Sequence, residues 1–456
     1  MNRMGAPSDR GGKVRAAEVD PRCRCGYSGG VRASCYIKGV IPILHGFIGC
    51  NTLLRFPLKC MEREPVVFST GMDEGDAVFG GESKLRESIL KLDAIYHPQI
   101  IFLFSSCISD TIGDDMRGIA RWAENQVSAK VIYVETGGYK CPDWEGFSLT
   151  LLALMQNLDD SPPREAEGAG KRVNLMGLDP WDFHGEGNRE EMGRLLERAG
   201  LEVVAFLPGS KHLDDFKRAR NANLNVVISP PQGMATAKWM EEAYRIPYIE
   251  AGMPIGFDGT REWLSKICSA LAVPLTSEVE EEEKEAELKI YTDHIVTYEV
   301  LYEVMAGVFG DAQMVISLVR FLARELGITT LVAGVFEAWP SELEALEQTI
   351  KELNLDTEVL VNPDVKEIEE AMRARPLGLI FGSALEEIVA EKVYGYQMST
   401  VRLAFPIFDE VNFLKIPYVG YRGAINLVEK AYNLSLKNRV SSFSQNLPWH
   451  ERYKSF

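Results

Sequence analysis

The chain of 456 residues is too long for a single hydrophobic core, so we expect two or three domains. Its net charge of −17 disfavours nucleic acid and anionic membranes as partners, because both are polyanions. No apolar run reaches the roughly 18 residues that a transmembrane helix requires, and no signal-peptide core follows the basic N-terminal residues. We therefore expect a cytoplasmic protein with no membrane contact and a flexible tail over residues 1–20.

Short apolar runs alternate with amphipathic stretches from Ile37 onward, which predicts repeated βαβ units and parallel sheets. The predicted strands are Val40–Leu44, Gln99–Phe104, Lys130–Val134, Arg172–Met176, Glu202–Phe206, Asn225–Ile228, Thr329–Ala333, Thr357–Val361 and Leu377–Phe381. The helical patterns between and after them include Arg189–Ala199, Ala286–Met305, Gln313–Leu326, Pro340–Leu353 and Val365–Arg373.

Two polar segments mark candidate boundaries between domains. Asp159–Lys171 contains two prolines and predicts a linker, whereas the glutamate-rich run Glu278–Glu287 is typical of a solvated helix face. The predicted fold class is α/β, with three domains of parallel β-sheet flanked by helices. We place the first domain at 21–165, the second at 166–300 and the third, with C-terminal helices, at 301–456.

Seven of the eight cysteines lie in the first third of the chain, which raises metal or redox chemistry as an alternative to buried free thiols. Cys50 and Cys107 each follow a predicted buried strand, and Cys25 begins a glycine-rich stretch that could let the backbone approach a bulky ligand. Thiolates are the ligands of soft metals and iron–sulfur clusters. On spacing alone, three buried structural thiols remain an equal alternative.

Three thiolates leave a four-iron cluster one ligand short. Either the fourth ligand comes from elsewhere in the chain, or the cluster bridges two chains. The sequence has no CxxC pair and no compact four-cysteine ferredoxin run. It also has no P-loop, so nucleotide hydrolysis by this chain is not indicated.

Several motifs, spread in order along the chain, share one resemblance. They are Ile41–Cys50 (IPILHGFIGC), Ala77–Leu85 (AVFGGESKL), Ser106–Asp115 (SCISDTIGDD), Ile246–Gly256 (IPYIEAGMPIG), Phe405–Asp409 (FPIFD) and Gly420–Ala424 (GYRGA). Together they resemble the motifs of nitrogenase component 1 subunits, and the last two resemble the C-terminal motif of the β-type subunits.

The resemblance implies that Cys25, Cys50 and Cys107 ligate iron. In nitrogenase, the corresponding cysteines hold half of the P-cluster, an eight-iron cluster shared between the α and β subunits. In tetrapyrrole-reducing and cofactor-assembly relatives, the same region holds a four-iron cluster. The implied partners are a homologous α-type subunit, in an α2β2 assembly, and an ATP-dependent iron protein that delivers electrons.

The function implied is that of the β-type subunit of a nitrogenase-like reductase, an oxidoreductase that relays electrons to a metallocofactor in the α partner. Methylthio-alkane reduction, which breaks a C–S bond, is our first candidate reaction, and chlorophyll-pathway and nickel-tetrapyrrole reductases stay open. Alternatives are the β subunit of a true nitrogenase, a cofactor-assembly scaffold subunit and a metal-free α/β binding protein. No catalytic residue is expected in this chain, because no pocket histidine–carboxylate pair indicates acid–base chemistry.

The other cysteines have weaker claims to ligate iron. Cys23 is the alternative to Cys25, and Cys141 falls where nitrogenase β chains carry a serine that can ligate the oxidised P-cluster. Cys35, in a predicted helix over Val31–Lys38, and Cys268, in one over Thr260–Leu271, are interpreted as packed thiols, and Cys60 has no matching family residue.

We interpret three polar residues near the cysteines as structural and not as ligands or catalytic groups. His45 precedes Cys50 by five residues and is interpreted as a hydrogen-bonded turn histidine. Asp114 and Asp115 are interpreted as caps of a helix N-terminus.

Overall fold

The computed structural model describes residues 25–55, 66–158, 171–291, 300–302, 304–395, 398 and 400–445. Within these ranges the chain forms three parallel β-sheets, each with helices packed on its faces. The predicted fold class, α/β with three parallel sheets, is confirmed. No helix in these ranges is both long and apolar enough to cross a membrane.

The first sheet has the strand order β2-β1-β3-β4. Its strands are β1 (Val40–His45), β2 (Phe68–Ser69), β3 (Ile100–Ser105) and β4 (Lys130–Val134), and its helices are α1 (Gly26–Ser34), α2 (Ile48–Arg55), α3 (Glu74–Phe79), α4 (Glu82–Tyr96), α5 (Cys107–Ile112), α6 (Met116–Ala123) and α7 (Asp143–Asn157). Strand β3, a continuous apolar run but for its last residue, is buried throughout because helices cover both faces of the sheet. It pairs with β1 from Val40↔Ile100 to His45↔Ser105, so the two strands end at the same edge.

The second and third sheets repeat this parallel arrangement. The second has the order β6-β5-β7-β8, from β5 (Arg172–Met176), β6 (Glu202–Leu207), β7 (Leu224–Val227) and β8 (Tyr248–Glu250), with α8 (Gly185–Arg198), α9 (Leu213–Arg218), α10 (Pro230–Tyr244), α11 (Phe257–Ala270) and α12 (Ser277–Tyr291). The third has the order β11-β10-β9-β12-β13, from β9 (Met305–Asp311), β10 (Thr329–Phe336), β11 (Glu358–Val361), β12 (Leu379–Gly382) and β13 (Thr400–Arg402), with α13 (Ala312–Glu325), α14 (Pro340–Glu352), α15 (Val365–Ala374), α16 (Ala384–Tyr394) and α17 (Gly420–Gln445).

Shared cores join the three sheets. Phe102 and Phe104 of β3 belong to the same buried cluster as Val227 of β7, so the first and second sheets share one core. A second cluster joins the other face of the second sheet to the third. Ion pairs add to this apolar packing: the buried Arg32 guanidinium pairs with both Asp143 and Asp179.

The structure departs from the sequence prediction at several elements. The predicted C-terminal bound of the helix Ala286–Met305 is wrong, because Met305 begins β9, the central strand of the third sheet. Strands β2, β8 and β13 were not predicted, and α1 ends at Ser34, so Cys35 caps the helix rather than lying within it. The predicted domain boundaries stay predictions, and both the tail over 1–20 and positions 159–170 of the proposed linker lie outside the described residues.

Candidate cluster-binding site

Three cysteines lie at the N-terminal ends of three helices around the first sheet. Cys25 is the N-cap residue of α1, Cys50 is the third residue of α2, and Cys107 is the first residue of α5. The first turn of a helix presents backbone N–H groups and a partial positive charge, which stabilise a thiolate.

Helix α1 carries Cys25 into place by packing backbone against backbone on α7. A Cβ atom at Gly29 would meet the backbone of Asp143, and one at Gly146 would meet the backbone of Gly26. The Gly26 N–H also donates to the Cys141 carbonyl at 2.7 Å. The glycines after Cys25 therefore serve helix packing, and the close approach to a ligand that the sequence indicated stays a prediction.

Cys50 and Cys107 follow neighbouring strands, β1 and β3, as predicted. Ser106 caps α5 in a capping box with Ser109, which starts the helix directly at Cys107. The Ser106 hydroxyl also donates to the His45 carbonyl at 2.6 Å, so the turn that leads to Cys50 is bonded to the helix that carries Cys107.

Two further contacts relate Cys25 to the other two cysteines. The Tyr27 hydroxyl donates to Asn51 Oδ1, and these buried residues stand beside Cys25 and Cys50 in the sequence. A Cβ atom on Gly138 would lie 3.1 Å from Cys107 Sγ and 4.0 Å from Cys25 Sγ. The structure thus brings together the three cysteines that the resemblance implied as ligands.

The electrostatics of the thiols reflect this proximity. Burial raises the pKa of Cys25, and the charges of Cys107 and Cys50 raise it further, while the backbone N–H groups of Ser28 and Tyr27 oppose the shift. Burial also raises the pKa of Cys50, with Cys107 adding to the effect. Neighbouring thiolates repel one another, so a bound cation is needed to hold all three deprotonated.

The donor set fits a cluster better than a single metal ion. Among the described residues, no three histidine, cysteine or carboxylate side chains converge on one point that could hold an ion. In a cubane four-iron cluster each cysteine binds a different iron atom, so the ligands surround the cluster instead of converging. Three thiols on separate helix ends are consistent with that arrangement.

The site opens onto an apolar surface. Cys50 is exposed and Cys25 and Cys107 are half-buried. Around them, Ile48 is 70% exposed, Leu53 77% and Tyr139 81%. Large apolar side chains gathered at an exposed site mark a surface that another molecule covers.

Of the remaining described cysteines, Cys141 lies next to this group, close enough to Cys25 for the charges of the two thiols to interact. Cys141 is buried beside Gly26, burial raises its pKa, and its thiol points to the Pro142 carbonyl at 3.6 Å. Burial raises the pKa of Cys35 to about 12, and Cys268 is buried in α11. Cys23 and Cys60 lie outside the described residues.

Sequence reasoning missed the contact between His45 and Asp114. Asp115 caps α6 as expected, accepting from the Gly118 N–H at 2.8 Å. Asp114 instead lies 2.8 Å from His45 Nε2 and accepts from the Gly81 N–H at the start of α4. A histidine–carboxylate pair therefore exists, but His45 is fully buried, which suits structure and not acid–base chemistry on a substrate.

The sequence profile of a family described as "Nitrogenase component 1 type Oxidoreductase" matches residues 25–436. This range spans all three sheets and begins at Cys25. The chain belongs to the nitrogenase component 1 family. The resemblance that the motifs indicated is confirmed.

Relatives of this nitrogenase component 1 chain are similar along nearly their full lengths. The nitrogenase molybdenum-iron protein β chain of Methanothermobacter thermautotrophicus is 25% identical over 450 residues, which cover 93% of this chain and 96% of that protein. The vanadium-iron protein β chain of Trichormus variabilis is 26% identical, covering 90% and 92%. The cofactor biosynthesis protein NifE of Clostridium pasteurianum is 29% identical over 410 residues, covering 87% and 84%.

A solved structure supports the same fold. The chain described as "Nitrogenase Cp1 at pH 6.5" matches with a TM-score of 0.80 at 22% identity, covering 93% of this chain and 94% of that one. The β-chain relatives identify this protein as a β-type subunit within the family, and its fold is that of nitrogenase component 1.

Proposed function

We propose that this chain is the β-type subunit of a nitrogenase-like reductase, in which Cys25, Cys50 and Cys107 hold the chain's share of an iron–sulfur cluster. The observation that carries the proposal is the grouping of these three thiols at three helix N-termini on one edge of the first sheet. The cluster, P-cluster-like with eight irons or simpler with four, would accept and pass on single electrons. The chain's own residues supply the sulfur ligands, the positive helix ends and partial burial.

A homologous α-type subunit would complete the site. Three cysteines are a half-set of ligands for a shared cluster, and the exposed Ile48, Leu53 and Tyr139 offer an apolar surface next to them. An α2β2 assembly, docked by an ATP-dependent iron protein, follows the arrangement of the family. Electrons would then pass through this chain to a metallocofactor held by the partner.

The proposed electron-transfer role is compatible with two candidate reactions. Methylthio-alkane reduction is the first candidate, and dinitrogen reduction by a true nitrogenase is the alternative. Chain length does not separate the two, because the alignment with the Methanothermobacter β chain covers 96% of that protein.

A scaffold role in cofactor assembly is a second candidate function. It is favoured by the similarity to NifE, which is named as a cofactor biosynthesis protein and is 29% identical. The three grouped thiols favour a working reductase, since scaffold chains of the β type keep fewer of the three cysteines.

The deciding experiment is anaerobic co-expression with a homologous α-type partner. We expect a complex that contains iron, shows the electron paramagnetic resonance signal of a reduced or oxidised cluster, and turns over a methylthio-alkane or dinitrogen with iron protein and ATP. A complex that holds the cluster and turns over neither substrate, but passes a metallocofactor to another reductase, supports the scaffold. A well-folded complex without iron would rule out both.

A further inference from the structure

Helix α5 is bonded at both ends to the same residue. At its N-terminal end, the hydroxyl of Ser106 donates to the backbone carbonyl of His45 at 2.6 Å. Just beyond its C-terminal end, Asp114 Oδ2 lies 2.8 Å from Nε2 of the His45 imidazole. The six-residue helix with Cys107 at its first position is thus held between the backbone and the side chain of His45.

The hydrogen-bond partners of His45 fit a neutral imidazole with its proton on Nε2. The imidazole is fully buried, and burial lowers the pKa of His45 below its ordinary value, so the ring is neutral. Because the carboxylate of Asp114 only accepts, the proton lies on Nε2, and Nδ1 accepts from the Thr70 hydroxyl at 3.1 Å. The Thr70 oxygen in turn accepts from the Gly46 N–H at 3.2 Å.

The ring also packs closely against Gly81. A Cβ atom on Gly81 would lie 2.7 Å from His45 Cε1 and 3.0 Å from His45 Nε2. Asp114, which is 5% exposed in its side chain, accepts from the Gly81 N–H at 3.1 Å as well. Hydrogen bonds and packing therefore fix the same position of the ring.

A helix of six residues has little stability of its own, so its position is set by such tertiary contacts. Helix α2, which carries Cys50, begins three residues after His45. We infer that His45, Ser106 and Asp114 form a clamp in which His45 is a positioning residue that fixes Cys107 relative to the segment carrying Cys50. This inference rests on the proposed function only in its consequence: the clamp would set the geometry, and with it the reduction potential, of a cluster bound to both cysteines.

Two amide substitutions separate the halves of the clamp. In His45→Gln, the amide nitrogen reaches the place of Nε2 and can still donate to Asp114. In His45→Asn, the amide ends at the place of Nδ1 and keeps only the contact with Thr70. In the complex with its partner, we expect His45→Gln to keep the wild-type midpoint potential and electron paramagnetic resonance signal, and His45→Asn to shift the potential and broaden the signal.

A readout that needs no iron tests the clamp independently. Hydrogen–deuterium exchange of the α5 amides should be about tenfold faster in His45→Asn than in His45→Gln, as expected from losing one buried hydrogen bond. Asp115→Ala, which removes the neighbouring carboxylate but not the clamp, should leave α5 exchange and the potential unchanged. If His45→Asn fails to fold, Asp114→Ala removes the same bond from the other side, together with the acceptor of the Gly81 N–H.

The outcomes distinguish the two proposals. A wild-type complex without iron overturns the proposed function, and exchange of α5 still decides the clamp. A complex with iron, in which His45→Asn or Asp114→Ala leaves both the potential and the α5 exchange at wild-type values, overturns the clamp and leaves the proposed function standing.

Discussion

Cys107 Sγ lies 3.1 Å from the place that a Cβ atom on Gly138 would occupy, and the Cβ of Cys25 lies at the same distance. Gly138→Ala should therefore push the two proposed ligands Cys25 and Cys107 apart, at a cost of about 1–3 kcal/mol, and lower the iron content of the complex. Gly259→Ala is the control, because nothing lies within 4 Å of its added methyl group. Iron per complex measures the loss of iron, and the melting temperature measures the loss of stability. Equal iron in the two variants would show that a methyl group at position 138 does not displace the cysteines.

Replacing a ligand should remove iron, and replacing a buried thiol elsewhere should not. Cys107→Ala deletes a sulfur that the proposal assigns to the cluster, so cluster iron and pairing with the partner should both fall. Cys268→Ala should leave iron unchanged, since Cys268 is buried in α11, which packs in the core between the second and third sheets. Colorimetric iron analysis after anaerobic purification checks this, and a Cys107→Ala complex with wild-type iron would refute the ligand assignment.

The apolar surface near the cysteines should be required for pairing. Leu53 is 77% exposed, so Leu53→Glu should leave the fold of this chain intact but place a charge in the interface and abolish co-purification with the partner. Ile388→Glu, at a 54% exposed position on α16, is the matched control. Pull-down of the partner by each tagged variant gives the answer; normal pairing by Leu53→Glu would place the interface elsewhere.

The buried guanidinium of Arg32 should be a main contributor to stability. Its side chain is 1% exposed and pairs with Asp143, which is fully buried, and with Asp179. Arg32→Met leaves a buried carboxylate without its partner and should lower the free energy of unfolding by about 3–5 kcal/mol. Lys91→Met, which breaks an exposed pair with Glu87, should have no measurable effect. Chemical denaturation of the complex compares the two, and equal midpoints would show that the Arg32 pair is not needed.

His184 should make stability depend on pH. Burial lowers the pKa of His184 from 6.5 to about 4, the charge of Lys430 adds to this shift, and the hydrogen bonds of the ring with the carbonyls of Ile416 and Arg402 oppose it. The unfolded chain then binds a proton that the folded chain does not, so this stability is fully present above pH 6.5 and is lost as the pH falls towards 4. The loss should be at most about 3 kcal/mol. His184→Gln should flatten the curve of unfolding free energy between these values, and an unchanged slope would contradict the assignment.

The strands that the sequence predicts best are short segments rich in apolar residues. Lys130–Val134 and Arg172–Met176 have the predicted bounds, although the buried Asn174 interrupts the apolar run of the second. Strand β9 was missed because Gly307 and Gly310 interrupt its apolar pattern, and its first residue, Met305, ended a helical periodicity. In the structure, a Cβ at Gly310 would collide with Met314, so that glycine makes room for the helix that follows.

The motifs predict three cysteines as ligands, and this stays a prediction; the contacts around these cysteines could not be predicted from the sequence. His45 and Asp114 are 69 residues apart, and no local pattern announces a pairing at that separation. The same is true of Gly138, whose role depends on two cysteines brought to it by α1 and α5. Contacts of this kind arise from the order of strands in the sheet, which the sequence shows only through the fold.

Cys50 stands exposed in the single chain, and this has a consequence for handling in air. An accessible thiol can be oxidised to sulfenic acid or joined in a disulfide with a neighbouring thiol, and Cys107 is close enough to interact with it electrostatically. The raised pKa of Cys50 slows this reaction, because the thiolate is the reactive form. If the partner covers this surface as proposed, the chain without its partner is the form in which oxygen can reach the Cys50 thiol.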